Sequence, residues 1–157
     1  MDIIIKKATL SDLKQVQEFN LKLFKKEYKD YDRCLNLDWT LGETGTKYFK
    51  DKISKKDGCV LIAFVKDKMV GYLCGGIKKP GYYKKSPIMS ELENIFVLEK
   101  YRSKGVGGKL YEEFIKWSKA KNVGKIIVMA YAKNKAAIKF YQANNFQEYG
   151  LTLETKI

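Results

Sequence analysis

A short apolar run, Ile95-Phe96-Val97-Leu98, leads within a few residues into Arg102-Ser103-Lys104-Gly105-Val106-Gly107-Gly108, after which the pattern becomes helical. This junction constrains the chain more than any other stretch. Gly105, Gly107 and Gly108 let the backbone turn sharply and come close to a ligand, and the first turn of the following helix carries amides with no intrahelical acceptor. Those donors, with the positive end of the helix dipole, suit a pyrophosphate, and Arg102, Lys104 and Lys109 add charge around the same spot. Spacing separates the known anion-binding turns. A Walker loop, G-x-x-x-x-G-K-[ST], fails because Leu110 follows Lys109 and neither Arg102 nor Ser103 is glycine. A dinucleotide fingerprint starting at Gly105 would put its third small residue at Leu110. What remains is R-x-x-G-x-G between a strand and a helix.

A second segment narrows the reading. Ile126-Ile127-Val128-Met129-Ala130-Tyr131 has the composition of a buried strand, and the residues from Asn134 to Tyr141 follow as a helix with Asn134 at its cap. Asn134, Ala137, Tyr141 and Phe146 fit N-x-x-A-x-x-x-Y-x-x-x-G-F, with Asn145 in place of the glycine. Asparagine tolerates the left-handed conformation needed after a helix, so the exchange is compatible with the same turn. These two motifs, in this order, resemble those of the GNAT superfamily of N-acetyltransferases, most specifically over residues 91 to 149. The resemblance implies an α/β fold of the α+β type, with a mixed, mostly antiparallel central sheet flanked by helices. It covers residues 1–157 as a single acyl-CoA N-acyltransferase domain.

Composition agrees with one domain and restricts the chemistry. At 157 residues and 45% hydrophobic content, the chain can bury one core. It lacks a leader pattern and any run of about 18 apolar residues, so a cytoplasmic protein without a membrane partner is expected. Cys34, Cys59 and Cys74 match no metal-ligand spacing and read as reduced thiols. Histidine is absent, which excludes Ser-His-Asp triads, Cys-His dyads and histidine bases and leaves carboxylates, tyrosine, lysine or water for proton transfer. The net charge of +13 suits polyanions. Yet the lysines stand singly or in pairs and no nucleic-acid motif accompanies them, so nucleic acid is the weaker reading. The same charge repels a polycationic acceptor unless local carboxylates counter it.

Along the chain, Ile3-Ile4-Ile5 reads as a first strand, and Thr9 to Asp12 offers caps for a helix to about Lys26 with Leu13, Val16, Phe19 and Leu23 on its core face. Residues 28–45 form a polar and aromatic connection, followed by a helix from about Thr46 to Ser54. Val60 to Val65 and Met69 to Ile77, around Lys66-Asp67-Lys68, read as a hairpin in which Gly71, Gly75 and Gly76 relieve bends or bulges. Val106, Leu110, Phe114 and Trp117 share one face of the helix after the glycine turn. Short strands near Gln147 to Tyr149 and Leu151 to Ile157 are expected to close the sheet.

The resemblance also assigns roles. Acetyl-CoA is the implied cosubstrate, with no metal, and the acceptor is an amine of a small molecule, a peptide N-terminus or a lysine; a homodimer is compatible with this. Phe96, Val97 and Leu98 would bond the pantetheine arm through the main chain, and Arg102, Ser103, Lys104, Gly105, Val106, Gly107 and Gly108 the pyrophosphate, with Asn134 and Ala137 beside them. An alkylammonium of pKa ~10 must lose its proton before attack. Glu93, four residues before Val97 on the same face of an extended strand, resembles the general base of some members, with Glu91, a carboxylate between Asp30 and Asp38, or water as alternatives. Tyr141 occupies the position that protonates the departing sulfur. Two rivals remain: a non-catalytic CoA-binding module on the same fold and a basic nucleic-acid-binding protein.

Overall fold

A computed structural model describes residues 1–157. Five strands form one sheet in the order β1 (Ile4–Lys7), β2 (Gly58–Val65), β3 (Lys68–Lys78), β4 (Met89–Val97) and β5 (Lys125–Val128). Neighbours are antiparallel except β4 and β5, which run parallel. The parallel pair requires a crossover, and α3 (Val106–Ala120) supplies it. The mixed, mostly antiparallel sheet expected from the sequence is therefore present.

Helices cover both faces. On one side α1 (Leu13–Asp30) and α2 (Glu43–Ser54) bury Val16, Phe19, Phe49 and Ile53 against Val60, Ile62, Tyr72 and Phe96. On the other, α3 and α4 (Lys135–Ala143) pack Leu110, Phe114 and Tyr141 against Leu61, Leu73 and Leu92. The alternation of each strand divides its side chains between these two cores. Polar groups fix α1 in its layer: buried Asn20 donates to the Tyr72 hydroxyl (2.9 Å) and accepts from Thr40 (2.8 Å), while Gln17 donates to the Thr40 carbonyl (2.7 Å). This ties the connection between α1 and α2 to the core.

Local chemistry explains most boundaries. Lys66 and Asp67 both take positive φ, the conformation of a two-residue turn whose twist matches that of antiparallel strands. The first helix runs four residues past Lys26, to Asp30. The strand expected to reach Tyr131 stops at Val128, the last β5 residue in register with β4. The expected strands at Gln147 to Tyr149 and Leu151 to Ile157 are absent: residues 147–157 are exposed and take part in no sheet. Period-two patterning is present there, but a strand also requires a neighbour for its main-chain groups, and the chain brings none alongside.

Candidate active site

β4 and β5 pair only from Met89 to Leu92, whereas β4 continues to Val97 with β3 alone on its flank. The edge of β4 beyond Leu92 is therefore open, with main-chain groups available to an extended ligand. That edge leads into the glycine turn. Ser103 (φ 56°) and Gly105 (φ 84°) are left-handed, and Gly105 is the N-cap of α3. None of the amides of residues 104–108 donates to a main-chain carbonyl, the first such bond of the helix being Lys109 N–H to Gly105 at 3.0 Å. Five free donors thus sit at the positive end of a 15-residue helix. Arg102 braces the turn by donating from Nε to the Val97 carbonyl (2.9 Å), with its guanidinium over the Phe96 ring.

Asn134 caps α4, its side chain accepting from the Ala137 amide at 3.1 Å. Tyr141, on the inner face of the same helix, packs against Phe140 and Phe146 and is 8% exposed. Its hydroxyl makes no hydrogen bond to the protein, and the residue lines a cleft of about 1530 Å³ walled by Met89 and Glu91 of β4, by β5 and by residues 146–151, a cleft that the edge of β4 beyond Leu92 and the glycine turn do not line. Burial first, and then the Glu27 carboxylate, push its pKa above the ordinary 10, so the phenol stays protonated at neutral pH. A proton held beside an open cleft is what a departing thiolate would need.

The expected shared face of Glu93 and Val97 is not found. The register between β3 and β4 shifts at Cys74/Gly75, where Asn94 opposes Cys74, Leu92 opposes Gly75, and Glu93 opposes no residue. Such a bulge breaks the alternation. Val97 packs toward α3, while Glu93 turns toward α2, ion-paired with Lys52 and accepting from the Tyr48 hydroxyl. The buried Tyr48 phenol is driven well above its ordinary pKa by burial, Cys74 and Glu93, so it remains a donor to that carboxylate. Glu91 pairs with Lys78 at 2.7 Å on the cleft wall. Cys59 and Cys74 are buried and pushed up to about 12, as inert packing thiols, whereas Cys34 is exposed.

One carboxylate of this region escaped the sequence reading. Glu27, half-buried near the end of α1, forms no side-chain hydrogen bond or ion pair, and burial followed by the neighbouring Asp32 charge raises it to about 7. Around it the end of α1 meets the connection after β5: Tyr31 stacks on Tyr131 at 5.6 Å, and the Tyr131 hydroxyl donates to Asp32 at 3.2 Å. Tyr131 is in turn pushed up to about 12 by burial, Glu27 and Asp32. A signal was present in the spacing: Val16, Asn20, Leu23 and Glu27 follow one helical stripe, so the stripe that enters the core also carries the carboxylate.

Solved structures share this architecture. A mutant of the BH1408 protein from Bacillus halodurans superimposes with a TM-score of 0.83 at 21% identity, over 98% of this chain and 99% of that one. The aminoglycoside N-acetyltransferase AAC(6')-Iy, in complex with a bisubstrate analogue of CoA and acetylneamine, gives 0.77 at 16% identity over 100% and 99% of the two chains. An aminoglycoside acetyltransferase from an uncultured soil metagenomic sample, in complex with sisomicin, gives 0.70 at 15% identity over 99% and 96%. The sequence model of the acetyltransferase (GNAT) family matches residues 21–146, which contain the open edge of β4, the glycine turn and Tyr141. With both motifs on the elements that the family requires, this chain belongs to the GNAT acetyltransferases.

Proposed function

We propose that the protein transfers the acetyl group of acetyl-CoA to a primary amine by direct attack within a ternary complex. The observation that carries this reading is the open edge of β4 running into the free amides of residues 104–108. On it, Phe96 and Val97 hold the pantetheine arm through the main chain, the Leu98 amide and carbonyl being engaged by Val70 (2.9 Å) and Tyr101 (2.8 Å), and the turn from Arg102 to Gly108 holds the pyrophosphate, with Asn134 and Ala137 at the neighbouring helix start. A fixed amide near Val97 stabilises the oxyanion without reorganisation. The neutral amine attacks the thioester carbon, the carbon–sulfur bond breaks, and the thiolate takes the Tyr141 proton, which is replaced from the acetylated nitrogen through solvent.

Carboxylates serve the acceptor. Glu93 and Glu27 are the bases of this reading: Glu93 is supported by its place on β4, and Glu27 by lacking any partner of its own and by standing close enough to raise the Tyr141 phenol. Lys52 and Lys78 pair Glu93 and Glu91, but Glu27 and Asp32 have no cation paired to them and place negative charge at the end of α1 within a chain of net charge +13. That offsets the repulsion a cationic acceptor would meet, and it brings polyamines such as the aminoglycosides of the solved relatives within the acceptor class. Three unpaired thiols and the use of acetyl-CoA support a cytoplasmic location; no helix is long and apolar enough to cross a membrane.

Calorimetry with acetyl-CoA and thiol detection across alkylamines, an aminoglycoside, and peptides with free N-termini or lysines test the proposal together. Gly107 carries one of the free amides of the turn, so Gly107→Val should abolish acetyl-CoA binding; because the added carbon would also begin 3.3 Å from the Phe140 ring, circular dichroism and thermal melts of the variant separate loss of the site from loss of packing against α4. Unchanged affinity would move the cofactor site elsewhere. Tight acetyl-CoA binding without thiol release for any amine would leave a non-catalytic CoA-binding module.

A further inference from the structure

The connection between β3 and β4 carries a charge that acetyl transfer leaves unused. Lys78-Lys79-Pro80-Gly81-Tyr82-Tyr83-Lys84-Lys85-Ser86-Pro87 sets two tyrosines between two pairs of lysines and contains no acid. Tyr82 is fully exposed and Tyr83 is 86% exposed. The fold adds residues from elsewhere to this end of the sheet. The Lys84 ammonium lies over the Tyr83 ring (5.6 Å) and donates to the hydroxyl of Tyr149 (3.3 Å), a residue itself 71% exposed. On the same Tyr149 ring sits the Lys125 ammonium, at 3.8 Å. Lysines that stand singly or in pairs along the sequence are thus gathered around three exposed rings.

Neither substrate of the proposed reaction accounts for this patch. It stands where β4 begins, whereas the glycine turn follows the end of β4, and the nine extended residues of that strand separate the two by about 25–30 Å. The loop lysines are therefore out of reach of phosphates held by residues 102–108. A cationic acceptor would be repelled by them. Along the adjoining cleft Lys78, Lys79, Lys84, Lys85, Lys125 and Lys135 meet only two acids, Glu148 and Glu91, and Glu91 is already paired with Lys78. What complements such a surface is a polyanion with flat apolar groups.

We propose that this patch is a docking surface for single-stranded nucleic acid, separate from the acetyl-CoA site. Ammonium groups pair with phosphates, and exposed rings take unpaired bases on their faces, a combination that holds single strands with little regard to sequence. A duplex offers its phosphates but keeps its bases stacked on one another, so the tyrosines gain nothing from it. A bilayer fits less well. The loop from Lys78 to Pro87 has no leucine, phenylalanine or tryptophan to enter the acyl region, and Tyr149 and Lys125 line the wall of a cleft, where a flat surface does not reach.

Fluorescence anisotropy of a labelled oligouridylate of about 12 nucleotides tests this with the full chain. Binding should weaken steeply as salt rises, exceed that of a duplex of the same length, and survive saturating CoA. Tyr82→Ala combined with Tyr83→Ala keeps every charge and should lower affinity by about fivefold to a hundredfold. Since both side chains are exposed, this variant should retain the wild-type circular dichroism and, by calorimetry, the wild-type acetyl-CoA affinity. Tyr82→Phe with Tyr83→Phe should keep full binding, because the ring stacks and the hydroxyl does not. Lys84→Glu with Lys85→Glu should abolish it. No binding, a duplex bound as tightly as a single strand, or affinity indifferent to loss of the two rings would overturn the proposal. Displacement by CoA would do the same, by assigning the charge to the cofactor site. Sedimentation with phosphatidylserine vesicles that is lost in the alanine variant, with oligonucleotide binding intact, would make the loop a membrane contact instead.

Discussion

Glu27→Gln should make the protein more stable and less active, and the two effects should depend on pH in a way that identifies the carboxylate. Glu27 is held at about 7 instead of its ordinary 4.5. The folded state therefore keeps this proton over a range in which the unfolded chain has lost it. The contribution to stability is complete below the unfolded value, declines as pH rises from 4.5 towards 7, and is gone above that, which is the linkage sign for a raised acid. At ~1.4 kcal/mol per tenfold, the displacement amounts to ~3 kcal/mol at most. Because the side chain is only half-buried, solvent screening reduces this to ~1–2 kcal/mol. Glutamine has nearly the same shape and no charge, so the variant should match wild type near pH 4 and exceed it by that amount at pH 8. For a chain of this length the gain corresponds to a melting temperature about 3–6 °C higher. Paired thermal melts at several pH values check this, since taking the difference between the two proteins cancels every other titrating group. A variant no more stable at pH 8, or more stable by a constant amount at all pH values, would refute the account of Glu27. Turnover of an amine acceptor should fall in the same variant, because the strain at Glu27 would have been removed together with its basicity.

Tyr141→Phe should lower turnover while leaving acetyl-CoA affinity near wild type, because the hydroxyl has no protein partner to lose and matters as the carbon–sulfur bond breaks; single-turnover kinetics beside calorimetry checks the split. Gly75→Ala should destabilise by ~2 kcal/mol or more in urea denaturation, since its added carbon would stand 2.4 Å from the Glu91 carbonyl and 2.9 Å from the Phe114 ring. Asn134→Ala should cost ~1 kcal/mol by removing the cap of α4, whereas Asn134→Ser should recover most of it; a larger loss of acetyl-CoA affinity than of stability would assign Asn134 a ligand contact besides.

Where sequence reasoning succeeded, the cause of the structure lay within one element. The glycines of the turn after β4, the cap at Asn134 and the stripe of Val106, Leu110 and Phe114 are set by nearest neighbours along the chain, and each is found where those residues place it. Residues 147–157 show the limit of such reasoning. Their alternation is a property of the segment, but strand formation is a property of a pair, and the second member is absent beside them. Glu27 shows a different limit. Its helical stripe was countable, but its displacement to about 7 arises first from burial where α1 meets the connection after β5, segments about 100 residues apart, and only then from Asp32 nearby in the chain.

Glu93 joins both lessons in one residue. Counting by twos from Val97 puts it on the Val97 face, and the count is correct for an unbroken ladder. The glycines of β3 did mark the place where the ladder breaks, for the register slips between Cys74 and Gly75. A slip marked on one strand, however, leaves open which residue of the opposing strand becomes the extra one. Here it is Glu93, and the extra residue swings the carboxylate from the α3 side to Tyr48 and Lys52. Had the slip fallen two residues later along β4, Glu93 would have remained in the ladder facing α2 by ordinary alternation with Leu92. Either way it reaches the α1–α2 side, which also carries Asn20 and Asn94, so any base role for Glu93 is exercised from that side of the sheet and through the Tyr48 and Lys52 contacts that now hold it.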